Sequence, residues 1–176
     1  YFEKNKPKRT LRFIWFGSEE VGLLGSKAYV KDHAKDLDSI IFGINVDVGG
    51  ALLGYDQALV TGEKDICNML DFYSKEVSFP LKAKQSIYSS DCIPFADQGI
   101  PVVNFIRGGA PGSAQIHNRH DTIDFICAEV LKNTTEFVQN FSEKTINSPI
   151  FPIERKIPEN IVKDIDKYMK KKPSKK

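Results

Sequence analysis

Residues 11–26 read LRFIWFGSEEVGLLGS, and the fold turns on them. Residues 11–16 form an apolar run that predicts a buried strand. The glycines behind it open a helix with Leu23, Leu24, Ala28, Tyr29 and Val30 on one face, fading around His33 to Asp36. Between strand and helix stand two adjacent carboxylates, Glu19 and Glu20. Unpaired negative charge at the edge of a core is costly, so a cation is expected beside them, and a divalent metal is the strongest candidate. Taken alone, the pair would fit a solvated acidic turn equally well.

Two other segments shift the balance toward a site. Residues 40–47 form a second apolar, strand-like stretch that ends in Asp47 and runs into Val48-Gly49-Gly50. Residues 116–122, Ile-His-Asn-Arg-His-Asp-Thr, bring two imidazoles and an acid just ahead of a helix. Carboxylate and neutral imidazole suit catalytic zinc and similar divalent ions. In an open α/β sheet, ligands collect outside the carboxyl ends of the strands, where Glu19, Glu20 and Asp47 are expected.

The rest of the chain supplies the scaffold. Residues 51–61 read as a strand or hairpin edge, 64–78 as a helix, 94–99 as a short helix closed by Gly99, and 101–106 as a buried strand. The final core helix is expected over 124–141. A linker at 148–158 leads to a short amphipathic helix with Ile161, Val162, Ile165, Tyr168 and Met169. Strands alternating with helices predict a three-layer α/β domain with a mixed, largely parallel sheet over residues 1–147, followed by the linker, helix and basic tail of 148–176.

Composition excludes several classes. With 176 residues, 41% hydrophobic, and a net charge of +2, the chain suits one globular domain. Its basic excess gathers in residues 170–176, a tail without aromatic or amphipathic company, so nucleic acid is not an expected partner. No stretch is long enough to span a bilayer. The Gly-rich residues 107–113 lack a phosphate-binding pattern, which removes nucleotides; a surface loop and a mobile lid both remain open. Cys67, Cys92 and Cys127 form no zinc motif; Cys67 and Cys127 are expected on apolar helical faces, Cys92 in a loop near the acids.

Four segments in order resemble the co-catalytic zinc aminopeptidases and carboxypeptidases of metallopeptidase family twenty-eight. They are residues 9–29 with Ser-Glu-Glu and Gly-Leu-Leu-Gly-Ser, Asn45-Val46-Asp47, Ser90-Asp91 with Phe95 and Gly99-Ile100-Pro101, and His117 with Asp121-Thr122. The resemblance implies a phosphorylase/hydrolase-like zinc exopeptidase fold and an aminopeptidase acting on peptides. It implies Glu19 as general base, Glu20 and His117 as ligands of one zinc, and Asp47 as ligand of the other. His117 matches better than His120 because the family's His stands four residues before the Asp-Thr. Asp91 and Asp121 would support the site from behind, and Tyr88, Phe105, Arg107 and His120 are candidate substrate contacts. The family often carries His where Cys92 stands. Relatives also include carboxypeptidases, glutaminyl cyclases and members that have lost their metals.

The resemblance further implies two ligands absent from these residues, a His from a His-x-Asp strand end and an Asp bridging both ions. Residue 1 is thus expected to lie inside a helix of a longer protein truncated at its N-terminus. A chain lacking the bridging carboxylate is expected to bind metal weakly and to turn over slowly or not at all; two tight zinc sites would refute this. An open sheet edge would also favour homo-oligomers.

Overall fold

A computed structural model describes residues 1–109 and 115–170. Four strands line up in the order β1 (Gly43–Val46), β4 (Val102–Gly108), β2 (Tyr55–Val60) and β3 (Leu81–Gln85). β1 runs parallel to β4 and β2 parallel to β3, while β2 and β4 pair antiparallel, so the sheet is mixed and mostly parallel as expected. Helices cover both faces, giving the three layers. On one face α2 (Lys64–Glu76) and α4 (Ala128–Asn147) pack Leu70, Tyr73, Phe137 and Phe141 against Ala58, Val60, Val103 and Phe105. On the other, Leu23 at the head of α1 (Leu24–Asp32) joins α3 (Cys92–Ala96) and α5 (Glu159–Tyr168) around Ile93, Val102, Ile161 and Ile165. The C-terminal amphipathic helix is therefore docked in the core and does not stand apart from it.

Several expectations are corrected. Residues 10–16 form no regular element, and among the described residues none of their backbone groups pairs with another backbone group. Phe13 is 65% exposed and Trp15 87%. Leu11 and Phe16 are half-buried, Phe16 against Tyr29 and Phe95. The apolar run carries a demand for burial, and no described strand meets it. β1 is shorter than the apolar stretch that contains it and lies at an edge of the sheet, with Val46 exposed. β2, by contrast, is an interior strand flanked by β4 and β3, and five of its six residues are buried.

β3 escaped prediction, although Leu81, Ala83 and Gln85 alternate with exposed Lys82 and Lys84 in the period of a half-buried strand. The last core helix starts at Ala128, because Ile123–Phe125 form a turn of 3₁₀ helix instead. Cys127 is the extended residue before α4 and is partly exposed, not a core position on the helix. The Gly-rich loop or lid, residues 107–113, and the tail, residues 170–176, lie partly outside the described residues. Among the described residues no helix is long and apolar enough to cross a membrane.

Candidate metal centre

The turn that carries Glu19 and Glu20 is built by its backbone. Ser18 takes a left-handed φ of 61°, and the Glu19 carbonyl accepts from the amides of Gly22 and Leu23 at 3.0 and 2.9 Å. Leu23, also left-handed and fully buried, anchors the start of α1. A Cβ on Gly25 would meet the Gly17 carbonyl oxygen at 2.4 Å, so this glycine lets the helix close on the strand end. The two acids thereby project from a rigid corner.

Asp47 comes from the next strand end. Its amide donates to the Phe105 carbonyl at 2.9 Å, continuing the β1–β4 ladder one residue beyond the strand. Val48 follows at φ 48°, a conformation that for a β-branched residue costs about 1–3 kcal/mol. His117 is left-handed too, at φ 62°. Ser18, Val48 and His117 are three non-glycine residues in this sparsely allowed region, each at or beside a candidate ligand; strain of this kind concentrates at functional sites.

The side chains meet as an anionic cluster with one imidazole. His117 Nε2 lies 2.9 Å from Glu20 Oε2, both side chains about two-thirds exposed (66% and 67%), so this contact alone stabilises little. Burial pushes the Glu19 carboxyl up, and the charges of Asp47, Glu20 and Asp91 push further, against His117. Asp47 is raised first by burial and then by Asp91 and Glu20, while the Val48 amide and His117 pull the other way. Asp91 is raised by burial and partly relieved by a Ser26 hydrogen bond, and its Oδ1 is buried with no partner. The Tyr88 hydroxyl is raised by burial and by Asp47, Glu19 and Glu20.

Thus Glu19, Glu20, Asp47, His117, Asp91 and Tyr88 are brought together. Among the described residues no three donors converge tightly enough to cage an ion. The donor set nevertheless fits a divalent cation in its chemistry: carboxylates that repel one another, an orphaned buried oxygen and an imidazole.

Four predicted residues stand apart. Among the described residues, no ion pair or hydrogen bond joins the His120 or Asp121 side chain to the acids. The His120 amide binds Asn118 Oδ1, and the Asp121 amide binds the Asn118 carbonyl. Phe105 is 2% exposed and packs on Phe137 and Phe141, so it cannot touch a substrate without unpacking the core. Arg107 is committed to Asp56 and to the carbonyls of Ala51 and Leu52. Cys92 is not in a loop: it begins α3, fully buried beside Ser90, its thiol pushed up to about 11 by burial.

Two expectations arise here. Of the three thiols, Cys127 should alkylate first in the native protein, with Cys92 and Cys67 protected by burial and raised thiol values; mass mapping after brief iodoacetamide treatment checks it. The second concerns pH. Because folding raises the carboxyls of Asp47 and Glu19, the folded state holds their protons more tightly than the unfolded state. Their contribution to stability therefore falls as pH rises from the ordinary carboxylate range through the raised folded values, and the penalty is complete above them. Asp47→Asn should accordingly stabilise the metal-free chain at neutral pH and flatten that part of its melting-temperature profile.

Comparison with known proteins identifies the family. The sequence pattern of Peptidase family M28 matches residues 1–142. Aminopeptidase YwaD of Bacillus subtilis is 30% identical over 141 residues, which cover 74% of this chain and 30% of that protein. The crystal structure of BSAP, a zinc aminopeptidase from Bacillus subtilis, superposes with a TM-score of 0.64 at 27% identity, covering 81% of this chain and 38% of that one. A Peptidase M28 precursor from Shewanella amazonensis superposes with a TM-score of 0.68 at 25% identity, over 87% of this chain and 34% of that one. The chain thus spans about a third of the length of these relatives.

Proposed function

The chain belongs to peptidase family M28, and from that premise we propose that it is the part of a zinc-dependent aminopeptidase that carries the general base and three metal ligands. The observation that carries the reading is the anionic cluster around the end of β1, where Glu19, Glu20, Asp47 and Asp91 repel one another around a single imidazole. Such a cluster calls for positive charge, and zinc supplies it.

Glu20 and His117 would hold one ion and Asp47 a second. Bound zinc would polarise the scissile carbonyl and make the attacking water more acidic. Glu19, free of coordination, takes the proton from that water and returns it to the leaving amine. Burial and the neighbouring acids push its carboxyl up from the ordinary range, the direction that strengthens a base. The Tyr88 hydroxyl, which feels the charges of Asp47, Glu19 and Glu20, would donate a hydrogen bond beside the reacting carbonyl. The turn fixes the backbone of Glu19, and Glu20 contacts His117, so the neighbouring residues would divide the labour.

Peptides with a free amino terminus are the expected substrates. In the protein that carries this chain, such a peptide should be cleaved and its N-acetylated counterpart spared; chelation should stop cleavage and added zinc restore it. Cleavage of the acetylated peptide, or cleavage indifferent to chelator, would defeat the proposal.

A further inference from the structure

We propose that Arg107 is a positioning residue for Asp47, holding the loop of residues 47–52 so that the carboxylate faces Glu19, Glu20 and His117. The inference rests on the reading of Asp47 as a metal ligand. Arg107 grips the loop at both ends. Its backbone amide donates to the Val48 carbonyl at 3.1 Å, directly after the bond from the Asp47 amide to Phe105. Its guanidinium turns the other way: Nε donates to the Ala51 carbonyl at 2.7 Å and Nη2 to the Leu52 carbonyl at 3.3 Å. Nη1 pairs with Asp56, the residue opposite Arg107 in the β2–β4 register. Asp56 is itself buried, and its other oxygen accepts from Thr134 Oγ1 on α4 at 3.1 Å.

The loop needs such a clamp. Val48 at φ 48° holds a conformation that a β-branched residue disfavours, while Gly50 at φ 84° supplies one that glycine adopts freely, so Val48 is where the loop needs support. A Cβ on Gly50 would meet Ile126 Cγ2 at 2.8 Å, so the loop also lies tight against the segment ahead of α4. There the Gly50 carbonyl accepts from the Cys127 amide at 2.8 Å, and Ala51 bridges to Ile126. Three guanidinium nitrogens reaching two carbonyls and one carboxylate require a planar fork; a lysine ammonium in this place could satisfy one direction at a time. The sequence of contacts α4–Asp56–Arg107–loop–Asp47 therefore ties the candidate ligand to the helix layer behind the sheet.

The experiment compares the 176-residue chain with its Arg107→Lys, Thr134→Val and Asp47→Asn variants. Two quantities are read: zinc affinity by calorimetry, and amide hydrogen exchange of residues 47–52 without metal. Arg107→Lys should weaken zinc binding by about 10–100-fold, as removal of groups that orient ligands does. It should also speed exchange of the loop amides, with the amides of β2 and α2 unchanged. Thr134→Val, which loosens Asp56 without removing a charge, should shift both quantities the same way by less, and it serves if Arg107→Lys does not fold. Unchanged affinity alongside an Asp47→Asn variant that does weaken binding would overturn the positioning role, even if the loop exchanged faster. If Asp47→Asn itself left affinity unchanged, Asp47 would not be a ligand, and this proposal would fall with that assignment.

Discussion

Glu19→Gln should lower peptide turnover in the zinc-loaded protein by about 10²–10⁴-fold, the usual worth of a positioned general base. The substitution keeps size and hydrogen-bonding reach and removes only the ability to take a proton. Substrate affinity should therefore change little, and the loss should fall on kcat. Stability should not suffer either. Burial and three neighbouring acids already disfavour the Glu19 charge, so its removal relieves repulsion. Zinc content should likewise persist, because Glu20, Asp47 and His117 remain. Steady-state kinetics with metal analysis decide the matter. An active Glu19→Gln enzyme would remove Glu19 as the base, and an inactive one stripped of zinc would make Glu19 a ligand instead.

Phe105→Ala should destabilise the fold by about 3–5 kcal/mol, as expected for deleting a fully buried aromatic. For a domain of this size each kcal/mol moves the melting temperature by roughly 2–4 °C, so a drop of about 6–20 °C is expected. Phe105 is enclosed by Phe137 and Phe141 from α4, at ring-centroid separations of 6.0 and 6.3 Å, and a void at the centre of that face cannot collapse easily. Trp15→Ala is the control, since an indole 87% exposed contributes little packing. Thermal melts of both variants by circular dichroism test the contrast. A mild Phe105→Ala phenotype would return Phe105 to the candidates for substrate contact.

The two roles assigned to that region show what a sequence does and does not carry. The Gly-rich corner after residue 16, the strand-end Asp47 and the spacing from His117 to Asp121 are local patterns, and the acids they announce do cluster. The helices over 64–76 and 159–168 were legible for the same reason, since a 3.6-residue apolar period survives without tertiary context. Phe105 and Arg107 were not legible. Two residues apart on β4, they differ in role because Phe105 packs on Phe137 and Phe141 of α4 while Arg107 finds a buried Asp56 on the adjacent strand. Only the pairing of β2 with β4 reveals that.

Residues 11–16 teach the converse lesson. Their hydrophobicity states that burial would be favourable, not which surface supplies it, and the described structure leaves Phe13 and Trp15 in solvent. β3 was missed although its alternation was present, because two lysines in five residues masked a strand whose inward side chains are only half buried. The left-handed Ser18, Val48 and His117 had no signal at all, since none is a glycine. Strain imposed by a site is invisible in the residues that bear it.

The central claim is that Glu20, Asp47 and His117 hold divalent metal in one cleft. Zinc titration of the chain, followed by the ¹H–¹⁵N resonances of its three imidazoles, tests it most directly. On zinc addition the ring nitrogens of His117 should shift and those of His33 and His120 should not, and Asp47→Asn and Glu20→Gln should weaken the response. A chain in which His117 stays silent, or in which His33 or His120 responds in its place, would contradict it.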